Sequence, residues 1–358
     1  MKYLLAAAAL AAAACSHAPP PDFAPDPALL DQIREIRMTV TPTVCPGETF
    51  GATYSALLND GTTVPFETRY DKNHPPRLHV IFLERTSDEA TPLQNGYWTA
   101  EQDPLVTLQS GFRLTAALKD QRSITTTATV RPEYNCLPHS FGFVGRAGYD
   151  GPDVTVRLGL VRSPHYQRLL VASIQVGEAP PFYTMADANA IPPRDWLVIE
   201  TRGGTGTAGS NGPTGTAGSP GQGGCPGTNG GPGSDGGTGG PGGSGGRGGR
   251  ITIIAPTEEP FLAGLVDARA PGGRGGDGGP GGKGGDGGKG GPAVQSSSTQ
   301  TCQPGADGHA GRDGQRGTAG NPGTPGPRPQ TITVPGGDVF GDNIPRTLAD
   351  LLDTNRHQ

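Results

Sequence analysis

The sequence predicts an all-β fold with little α-helix. A β-sandwich domain of immunoglobulin-like type is followed by an antiparallel bundle of glycine-rich polyproline II helices. Between residues 31 and 200, short apolar stretches of strand length recur between Asn, Asp, Gly and Pro turn signals, at the spacing of a sandwich. From 201 to 335, glycine recurs at every third position in long runs. The first region fits one elaborated sandwich or two small immunoglobulin-like units.

The glycine repeat has a period of three, which matches the three residues per turn of a polyproline II helix and neither an α-helix nor a strand. It runs unbroken for sixteen triplets at 203–248, seven at 272–290 and eight at 305–326. A shorter run, 142–151, lies within the β region. A glycine at every third residue leaves one helix face without side chains, so that another backbone can approach it closely.

Two architectures meet that need, and the run lengths favour the second. In a collagen triple helix, three chains bring their glycines together at a common axis. In the second, one chain folds its polyproline II helices side by side. If the first run turns back near Cys225, it forms two helices of ~20 residues, each ~65 Å long, which match the two later runs. A collagen-like trimer and a disordered segment are the alternatives.

The path of the chain places all strand-like segments at one end of this bundle. The first helix leaves a strand at 196–199, the second returns into a strand insert at 251–268, the third leaves that insert, and the fourth returns into 332–334. Both loops then lie at the far tip, which brings Cys225 close to Cys302. The middle two helices are mainly of Gly-Gly-x type, as helices flanked on both sides require. This arrangement resembles that of the glycine-rich antifreeze proteins and some phage adhesins.

The N-terminus has the features of an export signal. Residues 1–14 are predicted to be a signal peptide, because a positive residue precedes a short apolar run that ends in three alanines. The stretch 12–16 resembles the lipobox of bacterial lipoproteins, which implies that Cys15 is lipidated, and Ser16 resembles an outer-membrane sorting signal. Cleavage by an ordinary signal peptidase is the alternative. Residues 15–30 would then be a lipid-bearing, proline-rich tether that is extended and lifts the next domain off the membrane.

The other four cysteines are an even number in a chain expected to leave the reducing cytosol, so disulfides are predicted. They are Cys45, Cys136, Cys225 and Cys302. Four cysteines allow three pairings. A Cys45–Cys136 bond would join distant parts of the β region, and a Cys225–Cys302 bond would close the tip of the bundle.

No catalytic, cofactor or metal site is predicted, and we expect a protein that is not an enzyme. The Gly-x-Gly-x-x-Gly match at 204–209 arises by chance from the triplets, with no helix after it to bind a phosphate. Four histidines lack a cysteine or carboxylate at ligand spacing and are interpreted as loop or surface residues: His74, His79, His139 and His165. The net charge of −5, without a basic cluster, argues against a nucleic-acid partner.

Five charged side chains fall on the third position of their triplets and form an outward ridge along the third helix: Arg274, Asp277, Lys283, Asp286 and Lys289. This ridge either keeps the bundle soluble or acts as a docking face. The first helix instead carries small uncharged side chains. They could pack on the short run 142–151, face a partner or, as in the antifreeze proteins, face ice.

These features predict a structural or adhesive protein, exported and lipid-anchored at the outer membrane or cell surface, that presents a rigid glycine-rich bundle. Its expected partners are the membrane, through the lipid, and a cell-surface or matrix component. The alternatives are a β-domain that binds a glycan or peptide, with the bundle as a spacer, and a homotrimeric collagen-like stalk. The chain is expected to be a monomer, with a trimer as the alternative. Its tail, 336–358, is predicted to carry a short helix.

Overall fold

The computed structural model describes residues 19–191, 194, 196–295, 301–341 and 344–356. These residues form mainly β-strands, with two short α-helices, which confirms the prediction of an all-β fold with little helix. The predicted signal peptide, 1–14, and the predicted lipidation site, Cys15, lie outside the described residues. Within the described ranges, no helix has the length and apolar character needed to cross a bilayer.

An N-terminal unit contains two sheets around one core. One sheet has the strand order β5-β4-β3-β8-β7, with β1 paired to β3, and the other has the order β2-β10-β9-β6. Its elements are α1 (Pro27–Leu30), β1 (Ile33–Val40), β2 (Thr43–Val44), β3 (Thr49–Leu58), β4 (Thr63–Glu67), β5 (Leu78–His79), β6 (Leu83–Thr86), β7 (Ala90–Pro92), β8 (Tyr97–Ala100), β9 (Phe112–Leu118) and β10 (Gln121–Pro132), with a 3-10 turn at Val80–Phe82.

Side chains are buried alternately along the strands of this unit, and the buried face of each sheet forms the core. In β9 every second side chain is buried, from Phe112 to Leu118, so one face of the sheet is apolar. Trp98 is fully buried, and its indole N–H donates to the Tyr54 hydroxyl over 2.8 Å. Tyr97, on the opposite face of β8, is exposed. Trp98 therefore belongs to the core.

A central unit is built from two further sheets, with strand orders β11-β15-β17 and β14-β13-β12-β16-β18. Its strands are β11 (Ser140–Val144), β12 (Val154–Val161), β13 (Leu169–Val176), β14 (Phe182–Asp187), β15 (Leu197–Arg202), β16 (Ile251–Pro256), β17 (Val266–Arg269) and β18 (Gln330–Val334). Thus three strands of this unit come from beyond residue 200, where the sequence analysis placed the end of the β region. The reason is that β16 and β18 receive the chain as it returns from the glycine-rich region, and β17 leads it back there.

The strands that connect to the glycine-rich region all pair in parallel. In the three-stranded sheet, β15 pairs with β11 on one side and with β17 on the other. In the five-stranded sheet, β16 pairs with β12 on one side and with β18 on the other. The insert 251–268 contains the strands β16 and β17, which a 3-10 helix at Pro260–Leu265 separates.

A third core cluster joins the two units. It contains Tyr134 and Tyr166, whose rings lie 5.5 Å apart, together with side chains of the tail. The tail forms the helix α2 (Arg346–Arg356), which follows a 3-10 turn at Gly336–Asp338. Leu348 and Leu351 of α2 are buried in this cluster. The C-terminal helix therefore fastens the N-terminal unit to the central unit.

Both disulfides are formed. Cys45 bonds Cys136, with 6.3 Å between their Cα atoms, just beyond the point where β2 pairs with β10. Cys225 bonds Cys302, with 4.9 Å between their Cα atoms. The sequence leaves three pairings open. In the observed pairing, one bond links two parts of the β region and the other closes the tip of the bundle. Disulfides of this kind are typical of proteins exported to an oxidising compartment.

The proline-rich N-terminal segment differs from the free, extended tether expected from sequence. Phe23 packs against the N-terminal unit, with its ring 5.0 Å from that of Tyr70, 5.2 Å from that of Phe82 and 6.2 Å from that of His79. Leu29 and Leu30 of α1 are buried in the same core. Three apolar side chains among the prolines are enough to hold this segment against the sheet.

One histidine departs from the expected surface position. His79 is 2% exposed, and its Nδ1 accepts a hydrogen bond from the backbone N–H of Ile81 over 3.2 Å. Burial lowers the pKa of His79, so its imidazole is neutral at pH 7. Because Nδ1 is an acceptor, the proton of the neutral ring is on Nε2. This side chain caps a turn in the core and is not a loop residue.

Candidate functional site

The glycine-rich region forms four hydrogen-bonded segments, which we call segment I (203–221), segment II (227–249), segment III (272–291) and segment IV (305–326), and together the glycine array. None of them is an α-helix or a β-strand. Instead, backbone hydrogen bonds between segments recur at every third residue. The period of three seen in the sequence is therefore also the period of the contacts.

Consecutive segments run antiparallel. The N–H of Gly240 in segment II donates to Ser210 of segment I over 2.7 Å, and Gly279 of segment III donates to Gly240 over 2.9 Å. Gly317 of segment IV donates to Gly279 over 2.8 Å. The same pattern repeats at intervals of three residues along each pair. The chain therefore doubles back three times, as a single folded chain requires.

Alternate segments run parallel and are also bonded to each other. Gly209 of segment I donates to the carbonyl of Asp277 in segment III over 2.8 Å, and Gly239 of segment II donates to Gln315 of segment IV over 2.9 Å. Segments II and III thus each contact the other three segments, whereas I and IV each contact two. The array consists of two layers, one of segments I and III and one of segments II and IV.

The two layers continue the two sheets of the central unit. In the first layer, Leu197 of β15 pairs with Val266 of β17, and a few residues later Gly203 donates to the carbonyl of Pro271. In the second layer, Gly248 donates to Thr324, and the chains then enter β16 and β18, which pair with each other. The sheets therefore set the register in which the glycines meet.

The repeating glycines are required because a neighbouring backbone occupies the space of a side chain. A Cβ added to Gly206 would overlap the carbonyl oxygen of Gly243, and one added to Gly281 would overlap that of Gly314. Both overlaps are with backbone atoms, which cannot rotate away as a flexible side chain can. At these positions any residue larger than glycine must push two segments apart.

The second triplet position distinguishes segment III from segment II. In segment III this position is always glycine, and a Cβ on Gly276, Gly279 or Gly282 would overlap a backbone carbonyl of segment I. In segment II the same position faces side chains of segment I from Gly231 to Gly243, and it holds Thr228 and Ser234 as well as glycines. The strict Gly-Gly-x pattern therefore marks the segment that meets backbone on both sides.

The short run 142–151 docks at the base of the array. Gly148 donates to the carbonyl of Thr205, and Gly204 of segment I donates to Tyr149, both over 2.8 Å. A Cβ on Gly204 would overlap the carbonyl of Arg146. Further along segment I the second position of each triplet carries a side chain, so another backbone cannot approach there as closely as at Gly204. Segment I thus packs on 142–151 only at its first turn, and the rest of its outer edge is exposed.

Carboxylate and amide side chains accept hydrogen bonds from backbone N–H groups that take no part in the three-residue pattern of backbone hydrogen bonds. Asp235 of segment II accepts from the N–H of Arg312 over 2.7 Å, and Asn229 accepts from that of Ala306 over 2.8 Å. Asp313 of segment IV accepts from Gly284 over 2.8 Å. The sequence analysis did not identify these residues. Their signal is an Asp or Asn on the third position that faces a neighbouring segment once the antiparallel register is known.

The five charged residues of the predicted ridge all lie on segment III with exposed side chains: Arg274, Asp277, Lys283, Asp286 and Lys289. Their backbone carbonyls accept the hydrogen bonds from segment I, which fixes their spacing along the array. Beside them, Arg316 of segment IV donates to the carbonyl of Gly278 over 3.0 Å. The ridge is therefore a row of alternating charge, interrupted once at Pro280, and a docking role for it stays a prediction.

The tip of the array is closed covalently. Segment I ends near Gln222, and segment II begins at Gly227, so the first turn contains Cys225. The Cys225–Cys302 bond links this turn to the loop between segments III and IV. Val294, in the described part of that loop, is 55% exposed. The two hairpins of the array are thus joined at the end furthest from the sheets.

The described residues contain no group of three or more His, Cys, Asp or Glu side chains close enough together to hold a metal ion. The histidines considered in the sequence analysis lie in separate local environments. His74 lies 3.5 Å from the carboxylate of Asp71 at the surface, and Nδ1 of His139 lies 3.1 Å from the carbonyl of Leu137. Burial lowers the pKa of His165, with a further contribution from Arg131. These are separate environments rather than one site.

A glycine substitution tests whether backbone contact holds the array together. Gly282→Ala would place a methyl group on the carbonyl of Pro213, and we expect the free energy of unfolding to fall by about 1–3 kcal/mol. Lys283→Ala, the next residue, removes an exposed side chain and is expected to change it by less than about 0.5 kcal/mol. Chemical denaturation of both variants measures the difference. Equal effects of the two substitutions would contradict close backbone packing at Gly282.

Comparison with known proteins gives no relative from which a function could be transferred. What the chain does must therefore be inferred from its own residues and geometry. No protein-family model, curated protein or solved structure matches this chain.

Proposed function

We propose that this chain is an exported, lipid-anchored surface protein with a structural or adhesive role, and that the glycine array is a stiff bundle of polyproline II helices. The observation that carries the proposal is the three-residue period of the hydrogen bonds between segments. That period is the helical repeat of polyproline II. Each segment of ~20 residues would span ~65 Å in that conformation.

The way in which the glycines are used favours a monomer over a collagen-like trimer. In a triple helix the glycines face two other chains. Here the repeating glycines of segments II and III are already in contact with backbone of the same chain, as at Gly239 and Gly281. A second chain would have to displace these contacts. These contacts support a bundle that acts as one rigid body, and the role we propose for it is non-catalytic.

The two edge segments of the array favour a soluble structure to which no further glycine helix can add. Segments I and IV carry side chains at both the second and the third positions, and these side chains are exposed. A further glycine helix could not approach them as closely as the segments approach each other. In the N-terminal unit, two largely antiparallel sheets around one core support the immunoglobulin-like interpretation. The parallel strands of the central unit lie outside that interpretation.

The anchor is tested by removing the thiol that would carry the lipid. Cys15→Ser is expected to release the chain from the membrane fraction, because serine cannot form the thioether to diacylglycerol. Intact-mass measurement of the natural chain should show a lipid on Cys15, and the fractionation should find it with membranes. A natural chain that is unmodified and soluble after export would contradict the anchor.

The array's role is tested by shortening it without losing its register. Residues 209–214, 236–241, 278–283 and 314–319 lie side by side, so their joint removal keeps every remaining hydrogen-bond pair in step. This variant should fold and remain on the membrane, with the array shorter by ~19 Å. Removal of 209–214 alone is the matched control variant that disrupts the array, because it shifts segment I out of register with its neighbours.

Adhesion of cells that display these variants is the readout. If the array makes the contact, we expect adhesion to surfaces or to other cells to fall with the jointly shortened array and to be lost with the disrupted one. Adhesion that is unchanged in both variants would contradict this proposal. It would favour instead a β-unit that binds a glycan or peptide, with the array as a spacer.

A further inference from the structure

The first described residues lie directly on the N-terminal unit. Pro19, Pro20 and Pro21 line a cavity of about 530 Å³, together with Thr68, His79 and side chains from β6 and from the loops beside β8 and β9. Two residues further on, Phe23 is held among three aromatic rings. The chain is therefore fixed to the surface of this unit from residue 19 onward.

Little chain remains between this fixed point and the lipid. This step rests on the proposed function, in which Cys15 carries the anchor. Three residues lie between Cys15 and Pro19, and the four steps of a fully extended chain from one to the other span at most ~14 Å. The lipid places Cys15 at the level of the headgroups, which occupy roughly 5–8 Å on each side of the hydrocarbon core. Pro19 must therefore lie within ~14 Å of the headgroup layer.

The cavity beside Pro19 has apolar walls that include Val80, Ile81 and Leu83, and its rim carries exposed polar side chains of both charges, since Asp22 follows Pro21 and Asp120 follows Lys119. Lys119, Gln94 and Asn95 line the same cavity as the three prolines, and all three are exposed. Arg69 is exposed and lies between Thr68, which lines the cavity, and Tyr70, which contacts Phe23. We call the set Arg69, Gln94, Asn95 and Lys119 the exit face. Its side chains are those that form hydrogen bonds and ion pairs with phosphate groups.

We propose that the exit face lies against the membrane, with Arg69 and Lys119 bound to phosphate groups of the lipid headgroups. The N-terminal unit then rests on the bilayer and is not lifted from it by a tether. A two-part attachment of this kind, a lipid plus a polar surface with basic residues, is stronger than a lipid alone. It also limits rotation of the unit about its anchor, so the direction of the rigid array relative to the membrane becomes defined.

The lysines of the chain allow a direct footprint of this contact. Beyond Cys15 there are only four lysines, among them Lys119 on the exit face and Lys283 and Lys289 on the array. The chain beginning at Cys15 is coupled through its thiol to a maleimide lipid in phosphatidylcholine vesicles that contain phosphatidylglycerol. The same chain with its thiol blocked is kept in solution. Acylation of each lysine by a water-soluble ester is then followed by mass spectrometry.

We expect acylation of Lys119 to slow by about fivefold on the vesicles, the effect of one basic residue held at an anionic surface, while that of Lys283 and Lys289 stays unchanged. Arg69→Glu should restore most of the Lys119 reactivity, whereas Arg274→Glu, on the array, should not. Equal rates for Lys119 on vesicles and in solution would overturn the proposal. So would equal slowing of all these lysines, which would mean that the chain lies on the surface without a preferred face.

The lipid in this assay is supplied chemically, so its outcome does not depend on whether a cell modifies Cys15. Loss of the natural anchor, seen by fractionation of Cys15→Ser, and failure of the exit face, seen by footprinting, are therefore separate results.

Discussion

The structure depends on hydrogen bonds between backbones that lie too close together for any side chain to fit between them. A segment of Gly-x-y triplets makes no hydrogen bonds within itself, so every bond it forms must reach another segment. Glycine at the first position makes this approach geometrically possible, as the overlap at Gly206 shows. It also raises the conformational entropy lost on folding. The array is stable only if many such bonds form together, which requires all four segments to be in register.

The central unit supplies that register. Its parallel strands hold the ends of the segments at fixed spacing, so that β15 and β17 start one layer and β16 and β18 receive the other. At the opposite end, the Cys225–Cys302 bond holds the two turns together. The segments are thus fixed at both ends, and the loop-closure entropy of each hairpin is reduced before its hydrogen bonds form. An array held at both ends in this way is the physical ground for the structural or adhesive role proposed above.

The sequence predicts the all-β class, the period of the array and the pairing of its tip cysteines, because these depend on spacing along the chain. It does not predict the two layers, since the contact between segments I and III is seen only once the strict glycines of segment III are compared with Thr228 and Ser234 of segment II. It predicts strand segments beyond residue 200 but not that they pair with strands of the β region to form the central unit, because parallel pairing between distant segments leaves no local signal. His79 was misplaced for the same reason: its burial comes from strands that surround it and not from its neighbours in sequence.

Amide hydrogen exchange at residue resolution tests the central claim most directly. In segment IV, Gly314 and Gly317 donate to segment III, whereas no hydrogen bond is found for the amides of Gln315 and Thr318 among the residues described. If the segments of one chain hold each other through their backbones, protection from exchange should recur at every third residue along 305–326, with the glycines slow. The residues between them should be fast, apart from Ala306 and Arg312, whose amides donate to Asn229 and Asp235. Uniformly fast exchange along this segment, or protection that disappears on dilution as chains dissociate, would contradict it.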